Sequence, residues 1–472
     1  MNAPVILWFR QDLRLRDNPA LHHAIKSGAK IIPIYILDDE TPCEFKMGSA
    51  SRVWLHHSLA SLSAQLDKKL QFFRGDAAEL IPEIIKETGA SGIYWNRCYE
   101  PWRIERDTEI KYDLKESDIE VQTFNASLLW EPWEIKTQSG TPYKVFTPFY
   151  KKGCLQTEPP HTPYPVPRNI SFQEYKGNLS CSLDDLELLP QIDWDKGMAE
   201  YWNISEDGAQ DRLHAFLDEG LKGYAEKRNI PIAPNVSRLS PYLHFGEISP
   251  RDVWYTAQEY AHAHHIPEKD IYTLCSELGW REFSYHLLYH FPDLPRKNLQ
   301  DKFNHFPWSK PDPDQLTRWQ KGQTGYPIID AAMRELWQTG YMHNRCRMIV
   351  ASFLVKNMLV HWHYGEDWFW DCLFDADLAN NSASWQWVAG CGADAAPYFR
   401  IFNPVLQGEK FDPDGEYIKK YVPELKHLST KYIHTPWEAP KKPKDYPAPI
   451  LDIKATRQRA LDAYEHMKEC AE

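Results

Sequence analysis

A change of period along the chain constrains its fold more than any other feature. Over residues 1–131, short β-branched and aromatic runs, PVILWF, KIIPIYIL, LQFFRG, GIYWNR and IEVQTFN, alternate with amphipathic stretches such as RVWLHHSLASLSAQLDKKL and AAELIPEIIKETG. Strand-length runs separated by helical stretches predict a doubly wound parallel sheet, a Rossmann-like α/β domain over 1–131. From about Pro132 to Asp195 the pattern gives way to proline and polar residues, as in TEPPHTPYPVPRN, which predicts a connector over 132–200. Past Trp202, apolar residues recur at three- and four-residue intervals in SPRDVWYTAQEYAHAH, DIYTLCSELGWREFSYHLLYH, PIIDAAMRELWQTG and NRCRMIVASFLVKNMLVHWHY. An all-α domain over 201–472 is expected from that spacing.

The 472 residues are 43% hydrophobic, enough for two or three domains. No apolar run approaches the about 20 residues of a membrane span. The chain begins in a strand-like segment instead of a signal peptide, so a cytoplasmic protein is expected. The 9 cysteines form no CxxC pair and no zinc spacing, which predicts reduced thiols and no metal site. A net charge of -12 argues against coating nucleic acid by bulk attraction, because phosphate binding draws on lysine and arginine, and leaves a local basic patch open. No GxGxxG or Walker loop follows the first strand, so an ordinary dinucleotide or triphosphate site is unsupported. Of the 19 tryptophans, ten fall between Trp254 and Trp387, and a tryptophan-rich core is the plainer explanation for only part of them.

Candidate chemistry gathers in DADLANNSASWQWVAGCGADAAPYFRIFNP, residues 375–404. Asp375, Asp377, Asn380 and Asn381 stand there among apolar and aromatic neighbours. An unpaired polar group taken out of water costs roughly 1–3 kcal/mol and an unpaired charge more, so a flat ligand with polar edges would supply the missing partners. In VSRLSPYLHFGEISPR, small hydroxyls and Arg238 flank a helix start, where free N–H groups suit a phosphate. An ordinary N-cap before a buried helix explains that segment equally well. ELGWREF sets Glu277 and Arg281 one turn apart, which alone is an i,i+4 ion pair worth a few tenths of a kcal/mol. YMHNRCRM places His343, Asn344, Arg345 and Arg347 at the front of a very apolar helix, with Asp375 available as a counterpart for Arg347.

WFRQDLRLRDN, SRLSPYL, GWREF, TGYPIIDAAMR, MHNR, DADLANN, WQWVAGCGADAAPYFRIFNP and QGEKFD occur in this order over residues 5–412. In these motifs the chain resembles the photolyase/cryptochrome family from end to end. The resemblance implies an α/β antenna domain, a connector, and a helical domain that binds FAD in a folded conformation. It implies flavin phosphate and ribose contacts at Tyr224, Val236, Ser237, Arg238, Leu239 and Ser240. It also implies acids beside the flavin and adenine at Asp375 and Asp377, Arg347 paired to Asp375, and Asn381 facing flavin N5. Trp385, Trp362 and Trp308 match a chain of tryptophans that carries an electron from the surface to the excited flavin. Indole suits that task because it is easily oxidised, and the hops have to be short.

On the substrate side, Trp280 and Trp387 match the family's lesion-flanking tryptophans, Glu277 the carboxyl that meets the thymine edge, and Asn344 and Met348 the remaining wall. Arg281, Arg345 and Gln407 match DNA-contacting positions at the mouth. A damaged dinucleotide must be flipped out of the duplex to reach such a pocket, at a cost of a few kcal/mol. The implied enzyme is a deoxyribodipyrimidine photo-lyase: reduced FADH⁻ absorbs light, gives an electron to a cyclobutane pyrimidine dimer in DNA, and recovers it after ring splitting. Asn344 and Met348, where (6-4) photolyases place histidines, and Asn381, where plant cryptochromes carry Asp, favour dimer repair. His343 is expected to pack behind the pocket. The alternative is a cryptochrome-like blue-light photoreceptor that signals through a partner. A monomer is expected. For the antenna, Trp102, Arg103 and Phe45 stand where folate-binding members place their Asn, Glu and His, so that pocket is not reproduced. The GSASRVWLHHSL and EPWEIKTQSGTPYKVFTPFY segments look closer to a branch related to plant cryptochromes, and methenyltetrahydrofolate is expected ahead of a deazaflavin.

Overall fold

The five apolar runs form strands β1 (Val5–Phe9), β2 (Ile31–Leu37), β3 (Gln71–Arg74), β4 (Gly92–Asn96) and β5 (Glu120–Phe124). In the computed structural model, which describes residues 3–395 and 399–471, all of them pair in parallel in the order β3-β2-β1-β4-β5. Val5 stands opposite Ile31 on one side and Gly92 on the other. Strands β1, β2 and β4 are buried at every position. They read as continuous apolar runs because helices cover both faces of the sheet. Those helices are α1 (Pro19–Lys26), α2 (Ser49–Gln65), α3 (Ala77–Thr88) and α4 (Pro101–Glu116). Strand order reverses beside β1, and the crevice above the carboxyl ends of β1 and β4 is the place where such sheets bind ligands.

The proline-rich stretch lies against this sheet, with isolated bridges from Phe172 to Ile31 and from Cys181 to Phe72. Buried charges then lock the sheet to the helical half. Arg14 donates to Gly246 O and Ala126 O, each at 2.8 Å, and Arg251 pairs with Asp17 at 2.9 Å. The Glu206 carboxylate accepts the backbone N–H groups of Leu15 and Arg16 at 2.8 Å.

The helices that build the site are α5 (Ser240–Phe245), α6 (Pro250–Ala263), α7 (Glu268–His290), α8 (Pro327–Thr339), α9 (Asn344–Ser352), α10 (Trp362–Cys372), α11 (Leu378–Ala389) and α12 (Pro404–Phe411). Helix α11 packs between α7 and α10. The one long helix expected from NRCRMIVASFLVKNMLVHWHY is broken. After α9 the chain widens into a π-turn over Phe353–Asn357, Leu359 takes the left-handed conformation at φ 56°, and His361 caps α10. Every residue from Phe353 to Val360 is buried, so hydrophobic periodicity carries no mark of the break. Residues 396–398 of the 375–404 segment lie outside the described residues. No helix among the described residues is long and apolar enough to cross a membrane.

Candidate functional site

Helices α7, α9 and α11 and the turn before α5 enclose a cavity of about 530 Å³, in the range of small-molecule sites. Val236, Ser237, Arg238, Leu239 and Ser240 form one wall and Tyr224 another. Leu239 occupies the N-cap of α5, and no side chain caps the helix. The plain N-cap explanation of this segment is therefore not realised, and the first-turn N–H groups keep their capacity for a ligand. Arg238 sits at φ 54°, a conformation that costs a non-glycine residue roughly 1–3 kcal/mol and that clusters at functional sites. Its guanidinium is held between the rings of Tyr201 and Tyr341, at 5.6 and 5.3 Å.

The floor carries the acids. Arg347 Nη2 donates to both oxygens of Asp375, at 3.0 and 2.8 Å, and its Nε donates to Met342 O at 2.8 Å. Asp377 caps α11, its Oδ1 accepting from the backbone and side-chain N–H groups of Asn380 at 2.7 Å, while its Oδ2 accepts the Tyr285 hydroxyl. Burial pushes the Asp377 carboxyl up, but His244, Arg281 and the Tyr285 hydroxyl pull harder and hold it at about 2, so it is an anion. The buried Nδ1 of His244 lies 3.8 Å from that carboxylate and has no hydrogen-bond partner. Asn381 donates its Nδ2 to Glu366 O at 3.0 Å. Its amide is thereby oriented, and the carbonyl oxygen is left for the cavity.

The three expected tryptophans lead away from this floor. Trp385 lines the cavity and packs edge-on against Phe369, with centroids 5.0 Å apart. Trp362, on the same helix as Phe369, is fully buried and donates to Asn298 at 3.0 Å. His361 lies between Trp362 and Trp308, with ring centroids 5.5 and 5.1 Å away. Trp308 is half-buried, the one of the three that reaches toward solvent, whereas Trp385 and Trp362 are buried.

At the mouth, Trp280 and Trp387 both line the cavity. Trp280 stacks on Phe146 at 3.7 Å, and the Trp387 indole N–H donates to Asp394 O at 3.1 Å. The Glu277–Arg281 ion pair that spacing offered does not form. Glu277 pairs instead with Arg228 at 2.6 Å, and Arg281 turns to Ser127 O at 2.6 Å and the Tyr285 ring at 4.9 Å. Asn344 is exposed at the rim and Met348 is half-buried, both in the cavity wall. Arg345 donates to Asn229 at 2.8 Å and covers Phe411 at 4.6 Å. Gln407, half-buried on α12, is not brought into the wall.

Comparison with known proteins agrees with this geometry. The description "DNA photolyase" matches residues 5–168, and "FAD binding domain of DNA photolyase" matches residues 273–466. The deoxyribodipyrimidine photo-lyase of Agrobacterium fabrum is 47% identical over 480 residues, 99% of this chain and 98% of that protein. The chain belongs to the photolyase/cryptochrome family. Within the family, cryptochrome-2 of Arabidopsis thaliana is 36% identical over 99% of this chain and 80% of its own length. The crystal structure of a bacterial class III photolyase from Agrobacterium tumefaciens gives a TM-score of 0.94 at 47% identity, covering 99% of this chain and 98% of that one. The α/β half and the helical FAD-binding half stand as the sequence led us to expect.

The cavity fits the family's FAD. An uncapped helix start suits its phosphates, apolar walls suit its rings, and the orphaned His244 nitrogen and the free oxygen of Asn381 are polar partners for ring edges. Sequence reasoning missed Arg228, His244, Tyr285, Phe146 and Glu366. For Arg228 a signal existed, since Glu277 needs a cation and Arg228 follows Tyr224 by one helical turn. The others act across long sequence separations that spacing does not encode. A second, smaller cavity of about 70 Å³ opens at the carboxyl ends of β1 and β2, where Phe45, Trp102 and Arg103 come together. Phe45 and Trp102 stack at 5.3 Å, and Trp8 Nε1 and Glu100 Oε2, in residues that line it, lack hydrogen-bond partners.

Proposed function

We propose that this protein is a deoxyribodipyrimidine photo-lyase that splits cyclobutane pyrimidine dimers in DNA under blue light. The observation that carries the reading is one cavity with two aromatic walls at its mouth and an anionic, amide-lined floor. FAD, when bound, supplies the light absorption and the electron exchanged with the lesion. The residues around it supply binding and orientation. Val236 to Ser240 would hold its phosphates and ribose. Asp375, neutralised by Arg347, and Asp377 would fix the ring systems, and the carbonyl of Asn381, aimed by Glu366 O, would accept an N–H at flavin N5. Trp385, Trp362 and Trp308 would pass electrons in from the surface. Trp280 and Trp387 would clasp the flipped dinucleotide, with Asn344 and Met348 completing the wall. Glu277, held by Arg228, would accept hydrogen bonds from the base edge. Arg281, Arg345 and Gln407 would meet the DNA backbone around the mouth.

His343 supports the cyclobutane dimer over the (6-4) photoproduct. It is buried, its Nε2 contacts Arg228 O at 3.0 Å while its Nδ1 accepts from Arg345 N, and burial pushes its imidazole down to about 3, so it stays neutral and is not a general acid. The chain would work as a cytoplasmic monomer divided at 131/132 and 200/201. For the antenna, the likeness of the GSASRVWLHHSL and EPWEIKTQSGTPYKVFTPFY segments to the branch related to plant cryptochromes supports methenyltetrahydrofolate over a deazaflavin. The deciding experiment illuminates dimer-containing duplex DNA with protein carrying reduced FAD, beside a dark control, and records the chromophore spectrum. Dimers left intact in the light would sink the repair assignment, and no band beyond flavin would sink the antenna.

A further inference from the structure

A second line of aromatic rings leaves the cavity, this one into the α/β half. Tyr285 on α7 donates its hydroxyl to Asp377 in the cavity wall. Its ring meets Tyr99 edge-on at 5.9 Å, and Tyr99 lies 6.4 Å from the indole of Trp133. Tyr285 and Tyr99 are 4% and 1% exposed, whereas Trp133 is 37% exposed.

We propose that Tyr285, Tyr99 and Trp133 form a second electron route between the cavity and solvent, separate from Trp385, Trp362 and Trp308. The proposal rests on the reading of the cavity as the FAD site, because oxidised FAD in light is the oxidant that draws electrons along it.

The hydrogen bonds suit this role. An oxidised phenol becomes a strong acid and needs a base already in contact. Tyr285 has Asp377, and Tyr99 donates to Glu131 Oε2 at 2.7 Å. Burial keeps both phenols protonated at rest. In the first step one electron leaves Tyr285 for the excited oxidised flavin and the phenolic proton crosses to Asp377. In the second, Tyr99 gives an electron to Tyr285, Asp377 returns the proton, and the Tyr99 proton passes to Glu131. In the third, Trp133 gives an electron to Tyr99, Glu131 returns its proton, and the indole N–H proton goes to water. A small thiol in solution then restores Trp133 with a hydrogen atom, and two thiyl radicals couple to a disulfide.

The two carboxylates give the route a direction. Asp377 is held at about 2, a weak base, while burial pushes the Glu131 carboxyl up, so the phenolic proton is better held at the outer step. Arg97, paired with Glu131, lies 5.7 Å over the Trp133 ring and disfavours a cationic indole, which promotes loss of its proton to water.

The test uses the full-length, FAD-loaded protein in a Trp362→Phe background, where the first route is cut. With a thiol and blue light, a residual photoreduction is expected, and adding Tyr99→Phe should slow it at least tenfold. Illumination in air without thiol should leave an oxygen adduct on Trp133, read by peptide mass spectrometry, that Tyr99→Phe removes while FAD content is unchanged. Tyr285→Phe should reproduce both effects should Tyr99→Phe fail to fold. Bound FAD with no adduct at Trp133, with no residual photoreduction in Trp362→Phe, or with a residual that survives both tyrosine changes overturns this proposal alone. A wild-type protein that binds no FAD overturns the flavin reading and this proposal with it.

Discussion

Gly365 on α10 has no side chain because Trp385 occupies the space. A Cβ added there would stand 2.0 Å from Cη2, 2.4 Å from Cζ3 and 2.5 Å from Cζ2 of that indole, whereas carbon atoms pack at about 3.5–4.0 Å. In Gly365→Ala the ring must therefore retreat by roughly 1–2 Å. Trp385 is 2% exposed, and Phe369 stands against it at 5.0 Å. The open direction is the cavity whose wall it forms. In the protein without FAD the indole can relax into that space, but with FAD in place the strain remains. Overpacking of this kind costs about 1–3 kcal/mol, which at about 1.4 kcal/mol per tenfold weakens FAD binding by about 5- to 140-fold. The assay titrates FAD-free protein with FAD and follows quenching of flavin fluorescence. Gly197→Ala is the control, because an added Cβ there meets nothing within 4 Å, and its affinity is expected to stay at the wild-type value. A Gly365→Ala protein whose affinity stays within about twofold of wild type would show that the indole has room elsewhere, and the reasoning would fall.

Arg347→Ala strands Asp375, whose side chain is 5% exposed, and breaking a buried pair from one side costs about 3–5 kcal/mol. The variant is expected to purify without flavin absorbance, and Arg347→Lys to keep part of it; full absorbance in Arg347→Ala would argue that Asp375 has another partner. Trp280→Ala removes a stacking wall worth about 1–3 kcal/mol per base, so the preference for dimer-containing over undamaged DNA should fall by about 5- to 140-fold in fluorescence anisotropy. A preference that survives the change, or that wild type never shows, counts against repair. Glu247 is fully buried with Trp54 Nε1 at 2.9 Å, and burial drives its carboxyl up to about 8. Its folded value lies above the unfolded one of about 4.3, so the stability it lends is complete below that pH and lost as pH rises toward 8. The wild-type melting temperature should thus drop from pH 5 to pH 8 more steeply than that of Glu247→Gln, and parallel profiles would refute the assignment.

The five strands and the change to helices were legible because they rest on local period and on burial of both sheet faces, which composition alone reports. The pairing of Arg347 with Asp375 was legible for another reason, since two opposite charges in apolar surroundings leave each other few alternatives. What escaped the sequence was partner choice where several partners share the right chemistry. Glu277 had Arg281 one turn away on its own helix, yet it takes Arg228, because Arg281 is drawn to Ser127 O and the Tyr285 ring on the other flank. The break after α9 escaped for the opposite reason: eight consecutive buried residues look the same in a helix, a π-turn or a left-handed bend.

The pair Trp385 and Trp387 shows how a spacing is turned into function by its surroundings. Two residues apart on an α-helix lie about 200° apart around the axis, so α11 sends the two rings to different neighbours. Trp385 goes to Gly365 and Phe369 in the core, while Trp387 goes to Asp394 O at the half-buried mouth. Both still line the cavity, because α11 forms its wall. Under the proposed function, one helix would serve the cofactor and the lesion together only while its position is fixed, and the contacts that fix it are those of Asp377 at its N-cap, Ser382 on Glu366 at 2.6 Å, and Gln386 on Leu294 O at 2.7 Å. Loosening any of the three should disturb flavin and DNA binding together, whereas changes to either tryptophan should separate them.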